Sequence, residues 1–338
     1  MVKIPRVHHK TKTKNEELVV FQSGKVMRDF SKNGKEQPWQ KRKIENVKYA
    51  DYLEILEFKK AHKVKECAEV LEFKIDDNGE KKLYRVWFCK SRLCPLCSWR
   101  RAKKAAFQLQ QILQEAHDQQ PKAEFVFLTL TTKNTTEKKE LRAELQKLRL
   151  GVVKLFRYKK VKKNLLGFIR ATEITVNKND RSYNQHVHVL AMVSHTYFKN
   201  SENYLSQSEW QKLWRKAVQV DYDPVIFVEK VKAKPEKGMT SLTASALEVA
   251  KYQTKSKDYL TDQKDRDLKV IADLEYALKG TRQVTFHGIF RDVKKQLGLD
   301  DIEKGDLINT ENEDEKITPV VKIAVAQFDF EKQNYFWR

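Results

Sequence analysis

The sequence predicts an α+β protein in which helices flank a central antiparallel sheet and a small cysteine-rich module precedes it. Three observations carry that prediction. Apolar runs of strand length alternate with longer stretches of helical periodicity. Two of the runs, GFIRATEITV and QHVHVLAMV, are joined only by the loop NKNDRSYN and so form a hairpin. Three of the four cysteines fall in the short stretch CKSRLCPLC.

The elements follow in order. Residues 1–45 are polar and basic (SKNGKEQPWQKRK) and read as an arm, and residues 46–63 as a helix. VLEFKIDDNGEKKLYRVWF is two strands around the turn DDNGEK. In SWRRAKKAAFQLQQILQEA, Trp99, Ala102, Ala106, Leu109 and Leu113 recur at helical spacing. EFVFLTLTT is apolar on both faces up to Leu130, which places it inside a sheet. The next helix carries Leu141, Leu145, Leu148, Val152 and Phe156 on one stripe. SQSEWQKLWRKAVQ is a helix with Trp210 and Trp214 as core residues, VIFVEKVKA a strand, and LTASALEVAKYQTKSKDYL a further helix.

The charge points to a polyanion. Lys and Arg number 67 against 46 Asp and Glu, a net of +21. Such an excess favours a nucleic-acid partner ahead of an anionic membrane surface. No run approaches the roughly 20 apolar residues of a spanning helix. The basic N-terminus MVKIPRVHHKTKTK lacks the apolar region of a secretory signal, so a cytoplasmic protein is expected. From Asp300 to Lys316 the charge reverses to a local −6, which reads as a solvated acidic segment.

Cys67, Cys89, Cys94 and Cys97 have metal spacing. A Cys-x2-Cys knuckle supplies two ligands of a zinc tetrahedron from one turn, and the hairpin between Cys67 and Cys89 brings its ends together to complete it. Free thiols or a redox pair are the plainer alternative, and His62 a substitute ligand. Arg100, Arg101, Lys103 and Lys104 crowd the first turns of the helix that follows. They read equally as a solvated basic face or as contacts to DNA phosphates.

His186 and His188 lie two apart on a strand and share a face. If Val176 sits opposite Gln185, Thr175 faces His186 and Glu173 faces His188, so the carboxylate joins both imidazoles. A register slip of two keeps Glu173 there, and a slip of one removes it. Two imidazoles and a carboxylate form a three-ligand site with open positions, suited to Mg²⁺ or Mn²⁺ as well as zinc. Glu248, Tyr252, Lys255 and Tyr259 fall on one face of the later helix. A neighbouring ammonium favours the phenolate that a tyrosine nucleophile needs. Taken alone, that face is an ordinary solvated one.

The order FLTLTT, HVHVL and then a KYxxK helix, together with CKSRLCPLCSWRRAKK, GKEQPW and EVAKYQTKSKDY, resembles the plasmid rolling-circle replication initiators of Gram-positive bacteria. These are HUH endonucleases, here of the class with a Glu four residues before its Tyr. The resemblance runs from about Gly34 to about Asp301. It implies an RRM- or ferredoxin-like HUH sheet over residues 120–300. The residues themselves give a zinc-binding, DNA-recognition module over 46–119, with the arm 1–45 before it and an acidic C-terminal segment, 301–338, after it, the last outside the resemblance. The implied activity is origin-specific nicking and strand transfer through a 5′-phosphotyrosine. In it, Tyr252 is nucleophile, Glu248 activates water at termination, and His186, His188 and Glu173 hold the metal; the residues themselves add Lys255 as an electrostatic helper and Mn²⁺ or Mg²⁺ as the ion. Implied partners are plasmid double-strand origin DNA, with a single-stranded nick site in a hairpin, and host helicase and DNA polymerase. Tyr259 stays open as a second nucleophile. A non-catalytic zinc-containing DNA-binding regulator would explain the charge and cysteines but not the histidine–glutamate set. An HUH relaxase or transposase would share the core and differ in the DNA element recognised.

Overall fold

The computed structural model describes residues 16–31, 33–76, 78–231, 249, 254–261, 263–310 and 321–338. Among them, β1 (Glu16–Leu18), α1 (Trp39–Ile55) and α2 (Ala61–Lys65) lead to the hairpin β2 (Val70–Ile75) and β3 (Lys81–Val86). Then come α3 (Pro95–Gln119), β4 (Glu124–Thr131), α4 (Lys138–Leu155) and the short α5 (Lys159–Lys162). The long hairpin β5 (Leu165–Val176) and β6 (Tyr183–Val193) is followed by α6 (Gln207–Val218) and β7 (Ile226–Lys230). The last elements are α7 (Ser256–Tyr259), α8 (Lys264–Ala277), β8 (Val284–Gly288), α9 (Ile289–Gln296), β9 (Val321–Asp329) and β10 (Asn334–Trp337). No described helix is long and apolar enough to cross a membrane.

The mixed α+β class is as expected, with two sheets. In the first, the strands run β1-β9-β2-β3, and β10 continues the β1 edge of β9. β9 is thus an inner strand, paired antiparallel with β2 from Val70↔Gln327 to Ile75↔Lys322. This corrects the reading of residues 301–338 as an acidic tail. Ala324, Ala326, Phe328, Tyr335 and Trp337 are buried in the same core as Leu71 and Phe73. The period-two pattern in KIAVAQFDF is a strand signal that the acidic run before it obscured. The basic arm is corrected too. It supplies β1, and α1 begins at Trp39, whose buried indole donates to Asp29 Oδ2 at 2.7 Å.

The second sheet is antiparallel throughout, in the order β7-β4-β6-β5-β8. β4 has neighbours on both edges and helices over both faces, which is why it is apolar on both. Leu128 and Leu130 pack with Leu148, Val152 and Trp214 of α4 and α6, while Phe125 and Phe127 pack with Leu109 and Leu113 of α3. Trp210 and Trp214 are core residues as expected, and Trp214 donates to Thr131 O at 2.9 Å. Where β8 crosses β5, Gly167 and Gly288 face each other, and a Cβ on either would lie within 2.6 Å of a backbone oxygen.

α3 joins the two halves. Its first turn, with Leu96, Cys97 and Trp99, belongs to the first core, and Ala105 to Ala116 cover one face of the second sheet.

Candidate active site

α3 covers only part of that face. Leu190 and Met192 of β6 lie beneath it, and the next side chains on the same side, His188 and His186, reach beyond the apolar cluster. Val187 and Val189 point the other way into the α4–α6 core. The observed register sets Glu173 opposite His186 and Ala171 opposite His188, a slip of two from the one expected. Because side chains alternate with period two, the carboxylate stays on the histidine face.

The three groups converge. His188 Nε2 lies 3.1 Å and His186 Nε2 3.5 Å from the same oxygen, Glu173 Oε2. The other carboxylate oxygen faces Lys255 Nζ at 3.3 Å. Both Nδ1 atoms are occupied on the far side of the rings. Thr129 Oγ1 is 3.1 Å from that of His188, and Asn184 Oδ1 is 3.2 Å from that of His186. Burial disfavours ionised Glu173, but hydrogen bonds from His186 and His188 and the charges of His186 and Lys255 outweigh it and hold the carboxyl well below the usual range. The site therefore keeps a carboxylate at neutral pH.

This donor set fits a divalent cation. The ligand atoms of Glu173, His186 and His188 lie within 4.8 Å of one another. Bonds of about 2.0–2.1 Å to one ion would place neighbouring ligand atoms about 2.9–3.4 Å apart. Orienting partners on the Nδ1 atoms leave Nε2 as the coordinating nitrogen, as metal-bound imidazoles require. Sequence reasoning missed Thr129. Its signal lay in the alternation of FLTLT, but only the pairing Thr129↔His188 gives it meaning.

Tyr252 and Glu248 lie outside the described residues. The helical face expected to run from Glu248 to Tyr259 does not extend through Lys255, which is extended (φ −77°, ψ 141°) and caps α7. Tyr259 is corrected as a candidate nucleophile. It is 1% exposed in the first core, its hydroxyl donates to Leu93 O at 2.5 Å, and burial first, then the charge of Cys94, pushes its pKa well above 10.

The cysteines form a second cluster. Cys67 Sγ lies 3.6 Å from Cys97 Sγ and 3.7 Å from Cys94 Sγ, and Cys89 Sγ is 3.7 Å from Cys97 Sγ. A tetrahedron of bonds of about 2.3 Å has edges of about 3.8 Å, whereas a disulfide needs about 2.05 Å. The sulfurs accept from Asn46 Nδ2 and from the backbone N–H groups of Cys89 and Ser91. Burial pushes the Cys67 and Cys97 thiols up, whereas at Cys94 burial is outweighed by hydrogen bonds from Cys67, Cys89 and Cys97 that hold it low; four thiolates packed this closely would need a cation. His62 is exposed beside Glu66 and is not a ligand.

Arg100, Arg101 and Lys104 do not form a free DNA-contacting face. Arg100 donates to Leu307 O and Ile308 O, at 2.8 and 2.5 Å. Arg101 donates to Lys90 O at 2.6 Å and Ser91 O at 3.1 Å. Lys104 pairs with Asp300 and donates to Asp306 O. These three are buried, and Lys103 is half-buried with its charge near Asp29. Buried charges need partners, and the acidic segment from Asp300 provides them.

Comparison with known proteins adds a family. Residues 80–336 match the family described as "Replication protein". The chain is 52% identical over 314 residues to "Protein rep" of Lentilactobacillus hilgardii, covering 93% of this chain and 99% of that one. It is 54% identical to "Protein rep" of Lactiplantibacillus plantarum, covering 92% and 98%. To "Protein rep" of Streptococcus pneumoniae it is 39% identical, covering 92% and 95%. No solved structure matches.

Proposed function

The chain belongs to the replication-protein family of plasmid Rep initiators, and from that premise we propose that it nicks and rejoins one strand at the plasmid's double-strand origin. The observation that carries the reading is the convergence of His186, His188 and Glu173, with Lys255 beside them, on the part of the sheet face beyond α3. Replication initiation alone needs no such donor set.

In this reading the Tyr252 phenolate attacks the scissile phosphorus. The bond to the 3′ oxygen breaks, that oxygen takes a proton, and the 5′ phosphate stays on the tyrosine. His186, His188 and Glu173 would hold a divalent ion, Mn²⁺ or Mg²⁺, which when bound would supply charge stabilisation at the phosphate. Lys255 adds to the hydrogen bonds from His186 and His188 that keep Glu173 ionised, and brings positive charge to the site. Glu248, ionised at neutral pH, draws the proton from water in the terminating cleavage. Host polymerase extends the 3′-OH and a host helicase opens the duplex. Phe227 of β7 lies opposite Thr129, which itself faces His188, and is 63% exposed. Its ring offers a stacking surface for a base of the single strand. The four cysteines hold a structural zinc.

The test uses single-stranded oligonucleotides tiled across the origin, with Mn²⁺ or with chelator. The expected product is a metal-dependent adduct on Tyr252, absent in Tyr252→Phe, and Glu248→Ala should still nick but release poorly by hydrolysis. Specific origin binding with no adduct under any divalent ion would turn the reading to a non-catalytic regulator. For the cysteine site, elemental analysis of protein purified without chelator should find about one zinc per chain. Four titratable thiols and no metal would remove it.

A further inference from the structure

On the face of the second sheet opposite the histidines, we propose a binding site for a phosphate group, with Arg170 as its floor and Thr285, His287 and Arg149 around it. Arg170 lies between Ile169 and Ala171, which pack under α3, so its side chain leaves β5 on the α4 side. It is 5% exposed, and its Nε is buried without a hydrogen-bond partner. Among the described residues no carboxylate lies within ion-pair distance of it. Arg100 and Arg101, buried to a similar degree, each donate to two or more carbonyls. A guanidinium is always charged, and a buried one without an acceptor opposes folding unless something from outside completes it.

The surroundings say what that is. Arg170 is paired with Thr285 and Phe168 with His287 across to β8, the edge strand of the sheet. Thr285 Oγ1 and His287 Nε2 are 3.2 Å apart, and the imidazole stacks on Phe168 at 4.2 Å. A hydroxyl and an imidazole thus sit beside the guanidinium, both half-buried. The neighbouring charges are alike. After burial, the Arg149 guanidinium is what lowers the Arg170 pKa, to about 10. Burial and the charges of Arg170 and Arg291 keep His287 below its usual value. Asp292, on the helix that follows β8, is exposed and paired with Arg291. A phosphate, with its negative charge and its acceptor oxygens, answers this set, and Arg is suited to hold it through two N–H groups. The group belongs to a DNA backbone passing the β8 edge or to free phosphate. The proposal does not depend on the nicking chemistry.

The experiment uses the full chain, with thermal unfolding followed in potassium phosphate and in potassium chloride of matched ionic strength. Wild type should gain a phosphate-specific rise in Tm. Arg170→Leu should lose that rise and, in chloride, melt at or above the wild-type temperature, because an unpaired buried charge has been removed. Arg149→Gln, at an exposed position, should reduce the rise and guards against a folding failure of the first variant. Binding of origin DNA is then measured against salt. A lower affinity of Arg170→Leu with a salt slope reduced by about one identifies the DNA backbone as the source. Coincident DNA isotherms with the phosphate rise retained in wild type identify free phosphate. No phosphate-specific rise in wild type together with coincident DNA isotherms overturns the site.

Discussion

Thr129 does for His188 what Asn184 does for His186: each fixes one ring nitrogen and leaves the other facing Glu173. Thr129→Val keeps the shape and removes the hydroxyl. Outer partners of ligating histidines typically contribute about 10–100-fold in metal affinity. Calorimetric titration with Mn²⁺ should show a loss of that size with Tm little changed, and an unaltered affinity would remove Thr129 from the site. At this scale the sequence was informative where the chemistry is local. His186 and His188 share a face by strand periodicity, and Glu173 joins them under any even register. Thr129 was hidden because its role exists only across a strand pairing. Tyr259 was misplaced because one helical face was drawn through Lys255, where the backbone is extended.

α3 shows how far a charge pattern can mislead about an element. Its apolar stripe and its start at the cysteine knuckle were legible, and so was the hairpin that brings Cys67 to Cys89. The burial of Arg100, Arg101 and Lys104 was not, because the partners of Arg100 and Lys104, and one of those of Arg101, lie some 200 residues on, in a segment whose own charge suggested solvent. Arg101→Ala should therefore act on stability rather than on DNA. Loss of its bonds to the carbonyls of Lys90, Ser91 and Glu303 should cost about 2–4 kcal/mol. Urea unfolding at constant m would show it, while the salt dependence of DNA binding stays at the wild-type slope. A reduced slope with full stability would restore the phosphate-contact reading.

For the whole molecule, the decisive arrangement is a first sheet made from both ends of the sequence. Strand β9 separates β1 from β2, Phe328 N–H donates to Glu69 O at 2.9 Å, and Tyr335 Oη–H donates to Ala68 O at 2.6 Å, next to Cys67. A chain ending at residue 320 leaves β2 and β3 as a two-stranded hairpin that has lost β9 from its edge and Ala324, Ala326, Phe328, Tyr335 and Trp337 from its core, and two strands alone are marginal. Such a truncation should hold well under one equivalent of zinc and exchange the amides of Val70–Ile75 freely, with β4 to β6 still protected. Hydrogen exchange and elemental analysis together check this, and full zinc occupancy would show that the module stands without β9. The dependence also sets a clock on biosynthesis. At about 5–20 residues per second, β2 waits roughly 12–50 s on the ribosome for the strand that covers it. Throughout that interval the nascent cysteines, Leu71 and Phe73 are without their lid, whereas β4, β5 and β6 emerge close together and can pair at once. A messenger cut short would thus yield a histidine site without a finished cysteine module, and each initiator that completes that module has first been translated to its last strands.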